Sequence, residues 1–397
     1  MILGPPGCGK TTRLKEVAAS VLAAGVDPTR IGFWTFTRSA RNELFERLGG
    51  SQHTFPWLRT IHSTAFRLLG LTPGQMLVDE RWQEFGKRYG YELSKSDPNV
   101  DDVEDLPRQT PDDLLRFVCG WGRNRRLDPR AALGKARVRG VGVQRYEQFV
   151  RRLERFKAEE SLLDFADLLE AVLERRLCPP VEVAFLDEAQ DLSPLQIAVV
   201  ELWFGACKRV YVAGDDDQAV YGFQGAEPTW LGELAQRGSL ETLEQSHRVP
   251  VVAHQLAERI IRQNKARVTK AYRPADRIGR MLKLDLERAV AQIDGTRETL
   301  VLARNRYCLA AYAKALVQRL VPFRAEGPGI HSPLTNDRLV RAVNCAGRLA
   351  QLSTAAVAAQ DLDALLSYVP VDGVLVKRGV KACVKQAVEA EGVFTRE

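Results

Sequence analysis

The first dozen residues limit the folds open to this chain more than anything that follows. They read Met1-Ile-Leu-Gly-Pro-Pro-Gly-Cys-Gly-Lys-Thr-Thr12, in which Gly4, four residues, Gly9, Lys10 and Thr11 fit the pattern G-x-x-x-x-G-K-[ST]. Glycines let successive backbone N–H groups curl around an anion without Cβ clashes, and a following helix aims its N-terminal dipole at the same point. Gly4, Pro5, Pro6, Gly7, Cys8, Gly9, Lys10, Thr11 and Thr12 are thus the expected polyphosphate cradle. Lys10 would bridge the β- and γ-phosphates, and the Thr11 hydroxyl would take a place on Mg²⁺. Leu14, Val17, Ala18, Val21 and Leu22 recur at helical spacing, which predicts the required helix over Arg13 to Ala24. Cys8 reads as a small filler of the loop rather than a reactive thiol.

The stretch Ile31 to Thr37 is apolar and rich in β-formers, a buried strand, and Arg38 to Leu48 returns to helical periodicity before Gly49-Gly50. Trp57 to Leu69 includes Thr60-Ile-His-Ser63 and then a short helix ending at Gly70. This alternation means a parallel sheet. Between 71 and 160 the pattern breaks into polar helices with segregated charge. Asp97 to Asp113 holds seven acids against one Arg, and Trp121 to Lys157 holds twelve Arg or Lys against three acids. Trp121, Tyr146, Phe149 and Phe156 interleave with that basic run. Two readings stand: a surface that tracks a nucleic-acid backbone, or a solvated helix face with its aromatics in a small core. The formal net charge of +7 permits a polyanionic partner without establishing one.

Sheet architecture resumes at Val181 to Leu186, which delivers Asp187 and Glu188 at its C-terminal end, the edge where open α/β sheets bind ligands. One acid would hold Mg²⁺ and the other polarise an attacking water. A strand over Arg209 to Ala213 leads to Gly214-Asp-Asp-Asp-Gln218, where Gln218 would orient water or sense the γ-phosphate. Further on, a helix is expected over Val251 to Asn264, a strand over Leu300 to Ala303, a turn or linker at Gly327-Pro-Gly, and helical periodicity from Leu334 to Ala359. The longest apolar runs fall short of the roughly 20 residues that cross a bilayer, and no signal peptide precedes the glycine-rich loop. Seven cysteines without a Cys-x-x-Cys pair argue against a disulfide framework or structural zinc and for a reducing, cytoplasmic setting.

Taken together and in order, these segments resemble the UvrD/Rep-like superfamily-1 DNA helicases. Gly4 to Thr12 corresponds to their Walker A motif, and Leu186-Asp-Glu-Ala-Gln-Asp191 to Walker B, preceded by Leu163-Asp-Phe-Ala-Asp-Leu168. Thr35-Phe-Thr37 and Thr60-Ile-His-Ser63 are similar to two DNA-contact motifs, and Gly214 to Ala226 to the motif that couples phosphate state to DNA. Gln245-Ser-His-Arg248 resembles the motif that supplies an arginine from the second recombinase-like domain, and Val301-Leu-Ala-Arg304 continues the likeness. The resemblance implies an α/β fold: a RecA-like P-loop NTPase parallel sheet, an inserted helical subdomain and a second, incomplete RecA-like domain. The implied segments are 1–70 and 161–245 for the first RecA-like domain, 71–160 for a basic DNA-binding insertion, 246–328 for the start of the second RecA-like domain, and 329–397 for a partial helical insertion.

The implied chemistry is ATP hydrolysis with Mg²⁺. Lys10, Glu188, Gln218 and Arg248 would be catalytic, with Glu188 as general base and Arg248 as the charge-stabilising finger. Thr11 and Asp187 would hold the metal, and Gln218, His247 and Arg248 would complete the nucleotide site. Phe36, Thr37, Thr60, His62, Tyr221 and Phe223 would contact DNA, Phe36 and Phe223 by stacking on bases. His247 stands where relatives often carry an adenine-stacking Tyr. The last two helicase motifs, with their Lys-Gly-Leu-Glu-like and Tyr-Val-Ala-x-Thr-Arg-like cores, are not found, as expected of a truncated chain. The implied partners are single-stranded DNA, single-strand/duplex junctions and DNA repair or replication proteins, with no membrane. Against 3′→5′ translocation and unwinding stands a nucleotide-gated single-strand-binding module or helicase fragment without unwinding activity.

Overall fold

The structure, a computed structural model, describes residues 1–35, 51, 53–94, 110–136, 138, 140–222, 225–265, 267–293, 297–303, 306–319, 321, 323–324, 338, 341–342, 345–346, 357–368, 384 and 393–394. The chain divides into two compact units, Met1–Met281 and Leu282–Glu397.

The first unit is built on a six-stranded sheet: β1 (Ile2–Leu3), β2 (Ile31–Trp34), β3 (Leu58–Arg59), β4 (Val183–Leu186), β5 (Arg209–Gly214) and β6 (Glu241–Thr242), in the order β3-β2-β4-β5-β1-β6. All of its pairings are parallel, as the strand–helix alternation predicts. Alternate side chains leave opposite faces of a strand. Ile31, Phe33, Val183 and Phe185 join the core under α1 (Lys10–Ala23), with Leu14, Ala18 and Val21 of that helix. Trp34, Ala184 and Leu186 enter the core of the other face with Trp203, Leu195 and Leu169. Burial of both faces is why these strands are apolar throughout rather than alternating. In-register pairing stacks Phe33 on Phe185 at 5.3 Å and Phe185 on Tyr211 at 5.1 Å, an aromatic ladder across three strands.

The strand ends feed α2 (Ile61–Leu68), and the chain then leaves the sheet for α3 (Asp79–Tyr89), α4 (Pro111–Asn124), α5 (Pro129–Lys135) and α6 (Val143–Glu160). These helices have their own core. Tyr146, Phe149, Leu153 and Phe156 lie on one face of α6 and are at most 2% exposed, and the Phe85 ring stands 5.4 Å from Phe149 and 5.5 Å from Phe156. Tyr146, Phe149 and Phe156 of the interleaved aromatics therefore build a core, while Trp121 is half-buried with the Arg125 guanidinium over its ring. Several arginines of the basic run pair with acids instead, Arg130 with Glu147 and Arg155 with Glu159.

The chain returns through α7 (Phe165–Glu174), α8 (Pro194–Gly205), α9 (Thr229–Arg237) and α10 (Val251–Ile261). Asp164 caps α7 by accepting from the Asp167 N–H at 2.9 Å, and Asp167 accepts from the Asp164 N–H at 2.7 Å. The same two carboxylates bind Arg123 of α4 and Lys157 of α6 at 2.5–3.1 Å. The segment before Walker B thus ties the inserted helices to the sheet.

In the second unit, the described elements are α11 (Leu286–Ala291), α12 (Arg306–Gln318), α13 (Ala359–Leu366) and an antiparallel pair of β7 (Val357–Ala358) with β8 (Val393–Phe394). The strand expected over Leu300 to Ala303 does not form: Leu300 and Leu302 are 79% and 80% exposed, and among the described residues no strand pairs with them. An apolar run becomes a strand only where a ladder partner satisfies its backbone. The helix expected over 38–48 and the turn at 327–329 lie outside the described residues.

Candidate nucleotide-binding site

The loop between β1 and α1 sits at the C-terminal edge of the sheet. Gly7 and Gly9 have φ of 77° and 82°, and Gly9 is the residue from which α1 departs. Lys10 is buried, its ammonium donating to the Gly4 carbonyl at 2.7 Å and leaning toward that of Pro5 at 3.5 Å. Thr12 is exposed on the first turn of α1, and Pro5 and Cys8 are buried beneath the loop. Burial raises the Cys8 thiol above its ordinary pKa, as suits a filler.

β4 ends beside this loop. Thr11 Oγ1 donates to Asp187 Oδ2 at 2.7 Å across 176 positions of sequence. Asp187 is 2% exposed and anchored by its N–H to the Trp34 carbonyl at 3.0 Å. Burial and the neighbouring Glu188 raise its pKa to about 6, with the Thr11 hydroxyl and Lys10 acting the other way. Glu188 stands in the left-handed region, φ 54°, at a cost of roughly 1 kcal/mol or more for a residue with a Cβ. Its carboxylate accepts from Gln190 Nε2 at 2.7 Å. Gln190 Oε1 in turn accepts from the Asp215 N–H at 3.0 Å, and Gln218 Nε2 donates to Asp215 Oδ2. Glu188 and Gln218 are thus linked through Gln190 and Asp215.

The segment after β6 closes over the loop. The buried Ser246 hydroxyl donates to the Pro6 carbonyl at 2.8 Å and accepts from the N–H groups of Arg248 and Val249. The His247 N–H donates to the Gly7 carbonyl at 2.9 Å, and the Tyr272 hydroxyl reaches Pro6 O at 3.4 Å. A Cβ on Gly7 would lie 2.7 Å from that of Arg248, so this position admits only glycine. The side chains of His247 and Arg248 are exposed beside the loop.

Of the residues expected at DNA, Phe36, Thr37 and Phe223 lie outside the described residues. Thr60 caps α2 by accepting from the Ser63 N–H at 3.2 Å. Thr60 and His62 line a cavity of about 580 Å³, together with Thr35, Trp82, Arg116 and Phe165, between the sheet edge and the inserted helices. Desolvation lowers the His62 pKa to about 4, with Asp164 opposing, so its imidazole is neutral at pH 7. Tyr221 is half-buried in the loop after Gln218, its carbonyl accepting from the Ala226 N–H. Sequence reasoning missed Gln190, Ser246, Tyr272, Arg267 and Lys270. Gln190 lies inside the Walker B spelling and Ser246 inside Gln245-Ser-His-Arg248, but Tyr272, Arg267 and Lys270 touch the site from positions without a local pattern.

The donors fit a metal–nucleotide. A hydroxyl and a carboxylate, both hard oxygen ligands, converge at Thr11 and Asp187, and burial disfavours the Asp187 charge unless a cation offsets it. A buried lysine, a glycine-bent loop and the N-terminus of a 14-residue helix face the same point. Parallel sheet, phosphate loop and acid-bearing strand define a RecA-like P-loop α/β protein. Residues 1–238 match the UvrD/REP helicase N-terminal domain, and the chain belongs to that family. It is 26% identical over 302 residues to the ATP-dependent DNA helicase UvrD2 of Mycobacterium tuberculosis, covering 67% of this chain and 42% of that one. It is 26% identical to DNA helicase II of Escherichia coli over 68% of this chain and 39% of the relative, and 24% identical to Rep of the same organism over 59% and 36%. The chain therefore spans less than half the length of these relatives. No helix among the described residues is long and apolar enough to cross a membrane.

Proposed function

We propose that this chain carries the ATP-hydrolysing half of a DNA helicase, coupling hydrolysis to 3′→5′ movement on single-stranded DNA and, at junctions, to unwinding. The Thr11–Asp187 hydrogen bond carries the reading, because it joins the loop that would hold phosphates to the strand that would hold Mg²⁺. In this reading Gly4 to Thr12 cradle the triphosphate, Lys10 turns from its loop carbonyls to the β- and γ-phosphates, and Thr11 and Asp187 hold the metal. The metal would supply charge neutralisation on the transferring phosphoryl group. Glu188, held by Gln190, accepts the proton of the attacking water, and Gln218 reports the phosphate state toward Tyr221 and Phe223. His247 covers the base, and Arg248 reaches the γ-phosphate. Phe36, Thr37, Thr60 and His62 grip the strand without reading its sequence. The division into segments 1–70, 71–160, 161–245, 246–328 and 329–397 belongs to the same proposal.

Lys10→Ala should abolish binding of a fluorescent ATP analogue, and retained full ATPase activity would contradict the phosphate-loop assignment. Glu188→Gln should keep ATP binding and stop turnover, with unchanged turnover removing Glu188 as the base. Single-stranded DNA should stimulate the ATPase of the unmodified chain. Stimulation without strand displacement would favour a nucleotide-gated single-strand-binding module over a complete helicase.

A further inference from the structure

Three consecutive acids, Asp215, Asp216 and Asp217, follow β5, and their carboxylate oxygens gather within 4.8 Å of one another. Such a cluster suits a cation, and the chain supplies one. Lys270 Nζ lies 2.9 Å from Asp215 Oδ1, 2.5 Å from Asp216 Oδ1 and 2.8 Å from Asp217 Oδ2, and its side chain is 1% exposed. Arg267 binds Asp217 through two parallel bonds of 2.8 and 2.5 Å, and the Val268 N–H donates to Asp216 Oδ2 at 2.6 Å. Burial alone would lower the Lys270 pKa, but Asp215 and its two neighbours hold it above the ordinary value, so the ammonium stays charged.

The two oxygens of Asp215 have separate duties. One meets Lys270, and the other accepts from Gln218 Nε2. The Asp215 N–H, meanwhile, donates to Gln190, which holds Glu188. We propose that Lys270 is a positioning residue for nucleotide hydrolysis, fixing the Asp215 carboxylate so that Gln218 and, through Gln190, Glu188 are presented to the phosphate loop. The proposal rests on the reading of Glu188 and Gln218 given above. It makes 267–270 a strap between the acid-bearing loop and the segment that covers the nucleotide.

The test is made on the full chain. Lys270→Met keeps the length of the side chain and removes its charge. At saturating ATP its turnover should fall about 100-fold, the scale of a misplacement of about 1 Å, while affinity for the ATP analogue stays within about threefold. Unchanged turnover overturns the proposal. Because Asp215 and Asp216 lose their ammonium partner in this variant, which is enough to unfold it, Lys270→Met/Asp216→Asn/Asp217→Asn removes the surplus charge and should regain thermal stability. Its turnover should stay low, since Asp215 still lacks its partner, whereas recovery in step with stability would reduce Lys270 to charge neutralisation and overturn the proposal. If the unmodified chain binds ATP without hydrolysing it, the function reading fails by itself. Hydrogen exchange at 215–218 with nucleotide bound then decides the strap: faster exchange in the triple variant supports it, and equal exchange overturns it.

Discussion

His62 shows how one buried ring links stability to pH. Its ring meets Phe165 edge-on at 5.6 Å inside the cavity, and desolvation lowers its pKa from 6.5 to about 4. Between those two values the unfolded chain binds a proton that the folded chain refuses. The histidine's contribution is therefore complete above about pH 6.5 and is lost as pH falls toward 4, by at most about 3 kcal/mol and less for the part of the ring that solvent reaches. His62→Gln should flatten this component. Denaturant midpoints at about pH 7 and about pH 5 check it: the variant should lose less stability than the parent, and an equal loss would contradict the assignment. A neutral ring also means that any grip on a DNA phosphate comes from an N–H donor rather than a charge. Sequence alone could place His62 ahead of a short helix but could not supply its protonation state, which depends on burial beside Phe165 and Asp164, a hundred positions away.

Between elements, the contact that most shapes the site joins the phosphate loop to the segment 245–248. The Ser246 hydroxyl donates across that seam to Pro6 and accepts from two N–H groups of its own segment, so Ser246→Ala should cost about 1–3 kcal/mol by leaving buried backbone groups unpaired. Nucleotide affinity should fall with it, because Pro6 and Gly7 lose their cover. Thermal unfolding paired with nucleotide titration reads both, and loss of neither would show the seam to be incidental. The loop itself and the acids after β4 were legible because their chemistry fixes residue type at short spacing. The seam was not: Pro6 and Ser246 each lie in a legible motif, but they stand 240 positions apart and neither spelling says that the serine bonds the loop. Lys270 is the same case: three adjacent aspartates ask for a cation, but no local pattern says which lysine answers. The aromatics of α6 fall between these extremes. Their spacing puts them on one face, yet only the packing of Phe85 and Tyr91 against them shows that the face is inside.

At the scale of the whole chain, the question is where the nucleotide-binding body ends. The motif likeness starts a new domain at 246, whereas the compact unit runs to Met281. The contacts say why. Residues 246–273 supply Ser246 and Tyr272 over the loop and Arg267 and Lys270 under the acids, while Arg273 and Glu244 exchange backbone bonds with their neighbours across the same stretch. A body cut at 245 would keep Lys10, Thr11, Asp187 and Glu188 but expose the loop and leave the buried Asp215 and Asp216 and the half-buried Asp217 without their counter-charges, an arrangement that costs about 3–5 kcal/mol where a buried pair is broken. A chain ending at residue 281 should therefore bind the ATP analogue as the full chain does, and one ending at 245 should bind it weakly or fail to fold. Titration calorimetry with circular dichroism on both chains distinguishes the cases. Equal binding by the two would mean that the seam contributes nothing to nucleotide affinity, and loss of binding by the longer one would contradict 1–281 as a self-sufficient nucleotide-binding body.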